Sequence, residues 1–253
     1  LQTCACMGTE IDAVLLAEVM TDTFVPDTAF PILRAGLLYQ DPHRRPGKYL
    51  FPHTLVHQAA YSLIPESQKS LFHLRIGKQL ALNMSPDGSD DHIFLVVNQM
   101  NRGMAHLRTK KERDDLADLC LKAGKKAASF SDHNKASTLF ILGTTLLHPS
   151  SCWKTNYELS LQLYTSLANA AFLIRDFEMA DFAIQEVLKH ALSMEDKAQV
   201  YATQVNALGS QFKLKEATDL AMRVLKVKDA KMVHNLTSTS LAHALTKTKK
   251  LLK

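Results

Sequence analysis

The sequence contains few cysteines and no long apolar run, and these absences exclude several classes of protein. The four cysteines lie at positions 4, 6, 120 and 152, a spacing that matches neither a disulfide framework nor a zinc site. No apolar run approaches the roughly 20 residues that a membrane-spanning helix needs, and no secretory signal is recognisable. We therefore expect a cytoplasmic protein without a membrane span. Because it begins with Leu1, we take it as a piece of a longer chain.

A phosphate-binding loop is also missing. The three Gly-Lys pairs, at positions 47–48, 77–78 and 124–125, are not followed by Ser or Thr, and none has the loop's first glycine five residues upstream. No acidic strand end is suited to hold magnesium. We therefore expect this segment alone to bind no cofactor, to hydrolyse no ATP and to be no enzyme.

Positive charge is concentrated at the C-terminal end. Residues 223–253 hold eight of the 30 Lys and Arg residues and one acidic residue, which leaves 22 basic and 24 acidic residues in the rest. The net charge of +5 is therefore a property of the tail, and it does not indicate a nucleic-acid-binding body. We assign residues 231–253 to a basic C-terminal helix or tail.

Apolar spacing predicts a mainly helical protein that begins with a small winged-helix domain at residues 1–83. Residues 10–20 and a stretch around Leu33 fit short helices. Residues 36–39 and 49–51 fit two antiparallel strands around a breaker-rich turn, and a further helix follows at 54–63. The polar stretch MSPDGSDD at 84–91 is the expected linker.

The apolar spacing of residues 92–230 predicts an array of α-helical hairpins. A weak repeat occurs at 131–136, 175–180 and 212–217, and each copy ends in Ala. A small residue there lets the two helices of a hairpin approach closely, as in the superhelix of tetratricopeptide repeats. The spacings of 44 and 37 residues make these tetratricopeptide-like repeats degenerate. An irregular helical array without a ligand groove is the alternative.

Several short motifs are similar to those of a known family. They are Ala5-Cys6-Met7-Gly8, Phe51 with His53, residues 59–66 (AAYSLIPE), His73 with Ile76-Gly77 and Leu80, residues 97–103 (VNQMNRG), 116–119 and 123–127. Together they resemble the STAND/AAA-type signalling ATPases, in particular the multi-sensor kinases that join a serine/threonine kinase-like domain, an ATPase and a histidine kinase. Thr54 stands where that family usually has Asp.

The resemblance implies a regulatory and protein-interaction segment that couples nucleotide state to an input or output domain. Its partners would be a preceding ATPase core and a downstream signalling domain of the same chain, with a protein or peptide ligand on the helical array. The full-length protein would bind ATP or ADP with Mg and act as an ATPase, a protein kinase or both. His53 would be its nucleotide-state sensor.

Other interpretations of these residues stay open. His53 could instead be a buried residue bonded to backbone at the base of the wing, or it could join His57 in a zinc site that lacks the usual Glu and a third ligand. The chain could be a free-standing tetratricopeptide-like adaptor that binds peptides. It could also be a winged-helix transcription regulator, although its recognition helix at 28–35 offers only Arg34 to DNA.

Overall fold

The computed structural model describes residues 1–20, 31–40, 47–148 and 151–228 of the chain. The chain is mainly helical, as predicted, and it divides into two compact units, Leu1–Pro149 and Ser150–Lys253. The predicted residues 28–30, most of the turn at 40–47 and the segment 231–253 lie outside the described residues. Among the helices that are described, none combines the length and the apolarity needed to cross a membrane.

The first unit contains a small three-stranded sheet and a series of helices. In chain order its elements are α1 (Gln2–Met7), β1 (Glu10–Asp12), α2 (Ala13–Val19), β2 (Tyr39–Gln40), β3 (Lys48–Leu50), α3 (Thr54–Ser62), α4 (Glu66–Leu82), α5 (Ile93–Arg102), a 3-10 turn (Met104–His106), α6 (Lys110–Ser129) and α7 (His133–Leu146). The second unit contains α8 (Cys152–Thr155), α9 (Tyr157–Leu173), α10 (Phe177–His190), α11 (Met194–Ser210) and α12 (Leu214–Lys228).

The sheet pairs the two predicted stretches with shifted bounds and adds one strand that the sequence did not reveal. Of the predicted strand at 36–39 only Tyr39 lies in β2, and of the predicted strand at 49–51 only residues 49 and 50 lie in β3. β2 and β3 are antiparallel, with Tyr39 opposite Leu50. β1 pairs antiparallel with the other edge of β3, although we expected its residues in a helix. The helix starts later because the Asp12 carboxylate caps it, accepting from the backbone N–H of Val14 at 2.8 Å. The assignment of these elements to a winged helix stays a prediction.

The segment 84–91 connects two helices that pack tightly within the first unit. A Cβ atom on Gly77 of α4 would lie 2.6 Å from Met100 Cγ, and one on Gly103 would lie 2.4 Å from Leu74 Cβ. The Nζ atom of Lys126 in α6 donates to the carbonyl oxygens of residues 89 and 90, both at 2.8 Å. The two compact units therefore divide after residue 149, not at this segment, and the functional assignment of the predicted domains stays a prediction.

The weak sequence repeat coincides with a repeated hairpin turn. Ser131, Arg175 and Phe212 each have a positive φ, of 61°, 64° and 60°, between the helix pairs α6–α7, α9–α10 and α11–α12. In every copy the next residue donates its backbone N–H to the carbonyl five residues back, which ends the first helix. The hairpins are thus copies of one local geometry, and the tetratricopeptide-like superhelix remains a proposal.

The alanine that ends each repeat copy is buried. Ala136, Ala180 and Ala217 are 0%, 1% and 8% exposed. Each follows its turn by five residues and lies in the first turns of the second helix. A larger side chain at these positions would displace a neighbouring helix.

We expect Ala180→Leu to lower the free energy of unfolding by about 1–3 kcal/mol, because the added atoms overpack a closed contact. Ala202→Leu is the matched control, since Ala202 lies on the exposed face of α11 in the same unit. Urea unfolding of both variants measures the difference. Equal stability of the two variants would show that Ala180 has room around it.

Candidate functional site

His53, the candidate sensor residue, caps the N-terminus of α3 and is exposed to solvent. Its Nδ1 atom accepts a hydrogen bond from the backbone N–H of Leu55 at 3.1 Å. Because Nδ1 accepts, the proton of the neutral ring lies on Nε2. This N–H donor has no partner among the described residues, so it is available to a group from outside the unit.

His57, one turn further along α3, is committed to its own unit. Its Nε2 atom donates to the carbonyl oxygen of Ala5 at 2.9 Å. The ring also meets Phe51 edge-on, with centroids 5.1 Å apart. Within the described ranges, no group of three or more His, Cys, Asp or Glu side chains could hold a metal ion. His57 therefore fastens α3 to α1.

A buried chain of polar side chains joins four helices of the first unit. Gln99 Nε2 donates to the carbonyl oxygen of Cys6 at 2.7 Å, and Gln99 Oε1 lies 2.7 Å from His73 Nδ1. The other ring nitrogen of His73 lies 2.9 Å from the Tyr61 hydroxyl. We call this chain, from the Cys6 carbonyl through Gln99 and His73 to Tyr61, the Gln99–His73 network.

The direction of every hydrogen bond in this network follows from the first. A backbone carbonyl only accepts, so Gln99 presents its NH2 group to Cys6 and its oxygen to His73. His73 must then carry its proton on Nδ1, which leaves Nε2 to accept from the Tyr61 hydroxyl. Every donor and acceptor of the two buried side chains is paired except one amide proton of Gln99.

The surroundings of His73 favour its neutral form. Burial lowers the pKa of His73, because a charged ring would lose its hydration, and the positive charge of Arg102 acts in the same direction. The hydrogen bond to Gln99 opposes part of this effect.

Four of the family-like motifs of the sequence meet in this network. Cys6, Tyr61, His73 and Gln99 each come from a different motif, and Gly77 and Gly103 of the same motifs let α4 and α5 approach. Nothing in the spacing of these residues along the sequence predicts that they touch. The sequence signal that could have found them is a polar residue on the apolar face of a helix. His73 lies three residues before Ile76, and Gln99 lies three residues after Val96, so each shares a face with a buried apolar residue.

We expect Gln99→Leu to lower the free energy of unfolding by about 1–3 kcal/mol for each buried group left unpaired, namely the Cys6 carbonyl and the His73 Nδ1–H. Asn98→Leu is the matched control, because Asn98 is the exposed neighbour on α5. Denaturant titrations with paired circular dichroism and fluorescence measure the difference. A Gln99→Leu protein as stable as the Asn98→Leu protein would contradict the network.

Comparison with known proteins gives one distant and partial similarity. No family model matches the chain, and no solved structure matches it. The chain is 24% identical, over 202 residues, to the hybrid signal transduction histidine kinase G of Dictyostelium discoideum. This match covers 71% of the chain and 6% of that kinase. The chain is thus related to a short segment of a signal-transduction kinase.

Proposed function

We propose that the chain is a regulatory and protein-interaction segment of a STAND/AAA-type signalling ATPase within a signal-transduction kinase. It would couple the nucleotide state of a preceding ATPase core to an input or output domain. The similarity to a hybrid signal transduction histidine kinase supports the signalling context. The dense set of motifs around the Gln99–His73 network supports the assignment to this class of ATPase.

The observation that carries the proposal is the contrast among three histidines of one motif-rich stretch. His57 and His73 donate their N–H groups inside the unit, to the Ala5 carbonyl and to Gln99 Oε1. Of the three, only His53 presents at the surface an N–H group that has no partner in the described part of the chain. Such a donor is suited to a diphosphate oxygen, because hydrogen bonds to charged acceptors are the strong ones.

The exposed face of α3 supports a partner domain beside His53. Leu55 and Leu63 are 66% and 64% exposed, and with Ala59 they form one stripe along the helix. An exposed apolar stripe of this kind indicates a protein interface. The ATPase core that binds ADP or ATP with Mg would pack there, and His53 would then reach the nucleotide from the edge of the interface.

The rest of the proposal concerns the full-length protein. The helical hairpins would receive the input or pass the nucleotide state to a downstream signalling domain. The full-length protein would be an ATPase, a protein kinase or both, and it would act in the cytoplasm. The segment itself would contribute no catalytic residue.

A second candidate function is a peptide-binding adaptor, which a groove in the second unit favours. A cavity of about 340 Å³ lies between α10 and α11. Its apolar lining includes Phe177 and Ile184, Glu178 and Asp181 add two negative charges, and Lys213 adds one positive charge. This lining would suit a peptide with apolar side chains and a basic residue. DNA binding has no comparable support, because the recognition helix predicted at 28–35 is described only in part.

The isolated chain should neither bind nor hydrolyse ATP, because the loop that would cradle the phosphates is missing. Calorimetric titration with ATP and magnesium tests this expectation. A micromolar site in the isolated chain would contradict it and would place the nucleotide within this segment.

In the full-length protein, we expect His53→Ser to weaken ADP binding by about one to two powers of ten. The lost bond to a charged acceptor is worth roughly 1.5–3 kcal/mol, and every 1.4 kcal/mol is tenfold. Serine keeps an N-cap oxygen for α3, so the fold should survive. Signalling should also be partly active without input, because the bond would stabilise only the closed state.

The control for this experiment is Gln58→Ser, on the exposed face of the same helix. Equilibrium ADP binding and output activity are measured for both variants. Unchanged ADP affinity in a folded His53→Ser protein would rule out the sensor role. Loss of folding in that variant would show that His53 is needed for structure.

A further inference from the structure

The first unit contains a cavity of about 530 Å³ between α4, α5 and α6 that has no part in the function proposed above. Arg75 and Lys78 of α4 form one wall, Glu112 and Asp115 of α6 form another, and Met100 of α5 lies with Leu119 between them. The volume is within the range of sites that hold small molecules.

Two of the four charges are already paired with each other. Lys78 Nζ donates to Glu112 Oε1. The second oxygen of Glu112 accepts from the backbone N–H groups of Arg108 and Thr109, at 2.9 and 3.0 Å. These bonds lower the pKa of Glu112 to about 2, and the bond from Lys78 has the largest effect. Lys78 and Glu112 therefore hold each other in place across the cavity.

The other two charged side chains of the cavity are available to a ligand. Arg75 and Asp115 are exposed, and neither has an ion pair or a hydrogen bond within the described part of the chain. They stand on opposite helices, each three residues from a member of the fixed pair. The cavity thus offers one cation and one anion to a ligand, and its four charges sum to zero.

The surface between these charges is apolar. Met100 is buried, and Leu119 and Ala81 line the cavity beside it, together with one uncharged polar residue, Gln79. Leu82, at the edge of the cavity, is 75% exposed. A ligand that covered these side chains would remove apolar surface from water, which favours binding.

We propose that this cavity binds a small apolar zwitterion of the amino-acid or short-peptide type. The ligand carboxylate pairs with the Arg75 guanidinium, its ammonium pairs with Asp115, and its apolar side chains cover Met100 and Leu119. The zero net charge of the lining disfavours ligands of a single charge sign, since one wall would repel them. The proposal does not depend on the ATPase assignment.

The test uses the complete chain and calorimetric titration with L-leucine and L-leucyl-L-leucine, which distinguish a free amino acid from a peptide. We expect a dissociation constant of about 1 mM or tighter for at least one of them. Blocking either end of the better ligand, by N-acetylation or by C-terminal amidation, should weaken binding about tenfold or more. Titration of the blocked forms separates the two ionic contacts.

The variants Arg75→Gln and Asp115→Asn test each contact from the protein side. Each substitution should weaken the binding of the unblocked ligand about tenfold or more. Asp115→Asn should change the affinity for the N-acetylated ligand little, because that ligand has no ammonium group to pair with Asp115. Arg75→Gln should change the affinity for the amide little, because the amide has no carboxylate to pair with Arg75. The matched controls are Arg223→Gln and Asp219→Asn, an exposed pair of the same residue types on α12 of the second unit.

Three results would overturn the proposal. One is no heat of binding for either ligand at millimolar concentration. Another is binding that the Arg75 and Asp115 variants leave unchanged. The third is equal loss of affinity in the α12 control variants, which would show non-specific charge effects.

Discussion

The structure of the first unit depends on the pairing of two buried polar side chains, Gln99 and His73. Burying them is costly unless their hydrogen bonds are made, and each finds its partner on a different helix. The network therefore fixes the positions of α1, α3, α4 and α5 relative to one another, and small residues at Gly77 and Gly103 permit the close approach that it needs. This explains why four of the family-like motifs, spread over about a hundred residues of sequence, meet in one core.

The network also determines which side chains remain for function. Three bonds hold α3 from the inner side: Tyr61 to His73, His57 to Ala5, and Gln2 to the Leu63 carbonyl. The outer side of the same helix carries the exposed side chains of His53 and Leu55, and the exposed side chain of Leu63 follows at its C-terminal end. A helix that is fixed on one face and apolar on the other is suited to receive a second domain. In the proposed function, that domain supplies the nucleotide and His53 meets it.

Local patterns of the sequence predicted local features of the fold. The 3.6-residue spacing of apolar side chains gave the helices, and the breaker cluster before Lys48 gave the β2–β3 pair. The repeated Ala gave the hairpin turns, because the same turn needs the same residue five positions later. β1 was missed, since a three-residue strand has almost no periodicity and forms only by pairing with a distant partner. The Gln99–His73 network was missed for a related reason: its partners are up to 93 residues apart, and no spacing rule connects them.

Nitrogen-15 NMR of the histidine rings in the intact chain distinguishes a His73 ring that is held in the core from a His53 ring that is open to a partner. We expect the neutral His73 ring to carry its proton on Nδ1, and we expect less than half of His73 to be protonated at pH 6.5, where an ordinary histidine is half protonated, because burial lowers its pKa. For the neutral ring of His53 we expect the opposite tautomer, with an Nε2 proton in exchange with water. A His73 ring that carries its proton on Nε2, or that is mostly charged at pH 6.5, would show that His73 is not held in this network.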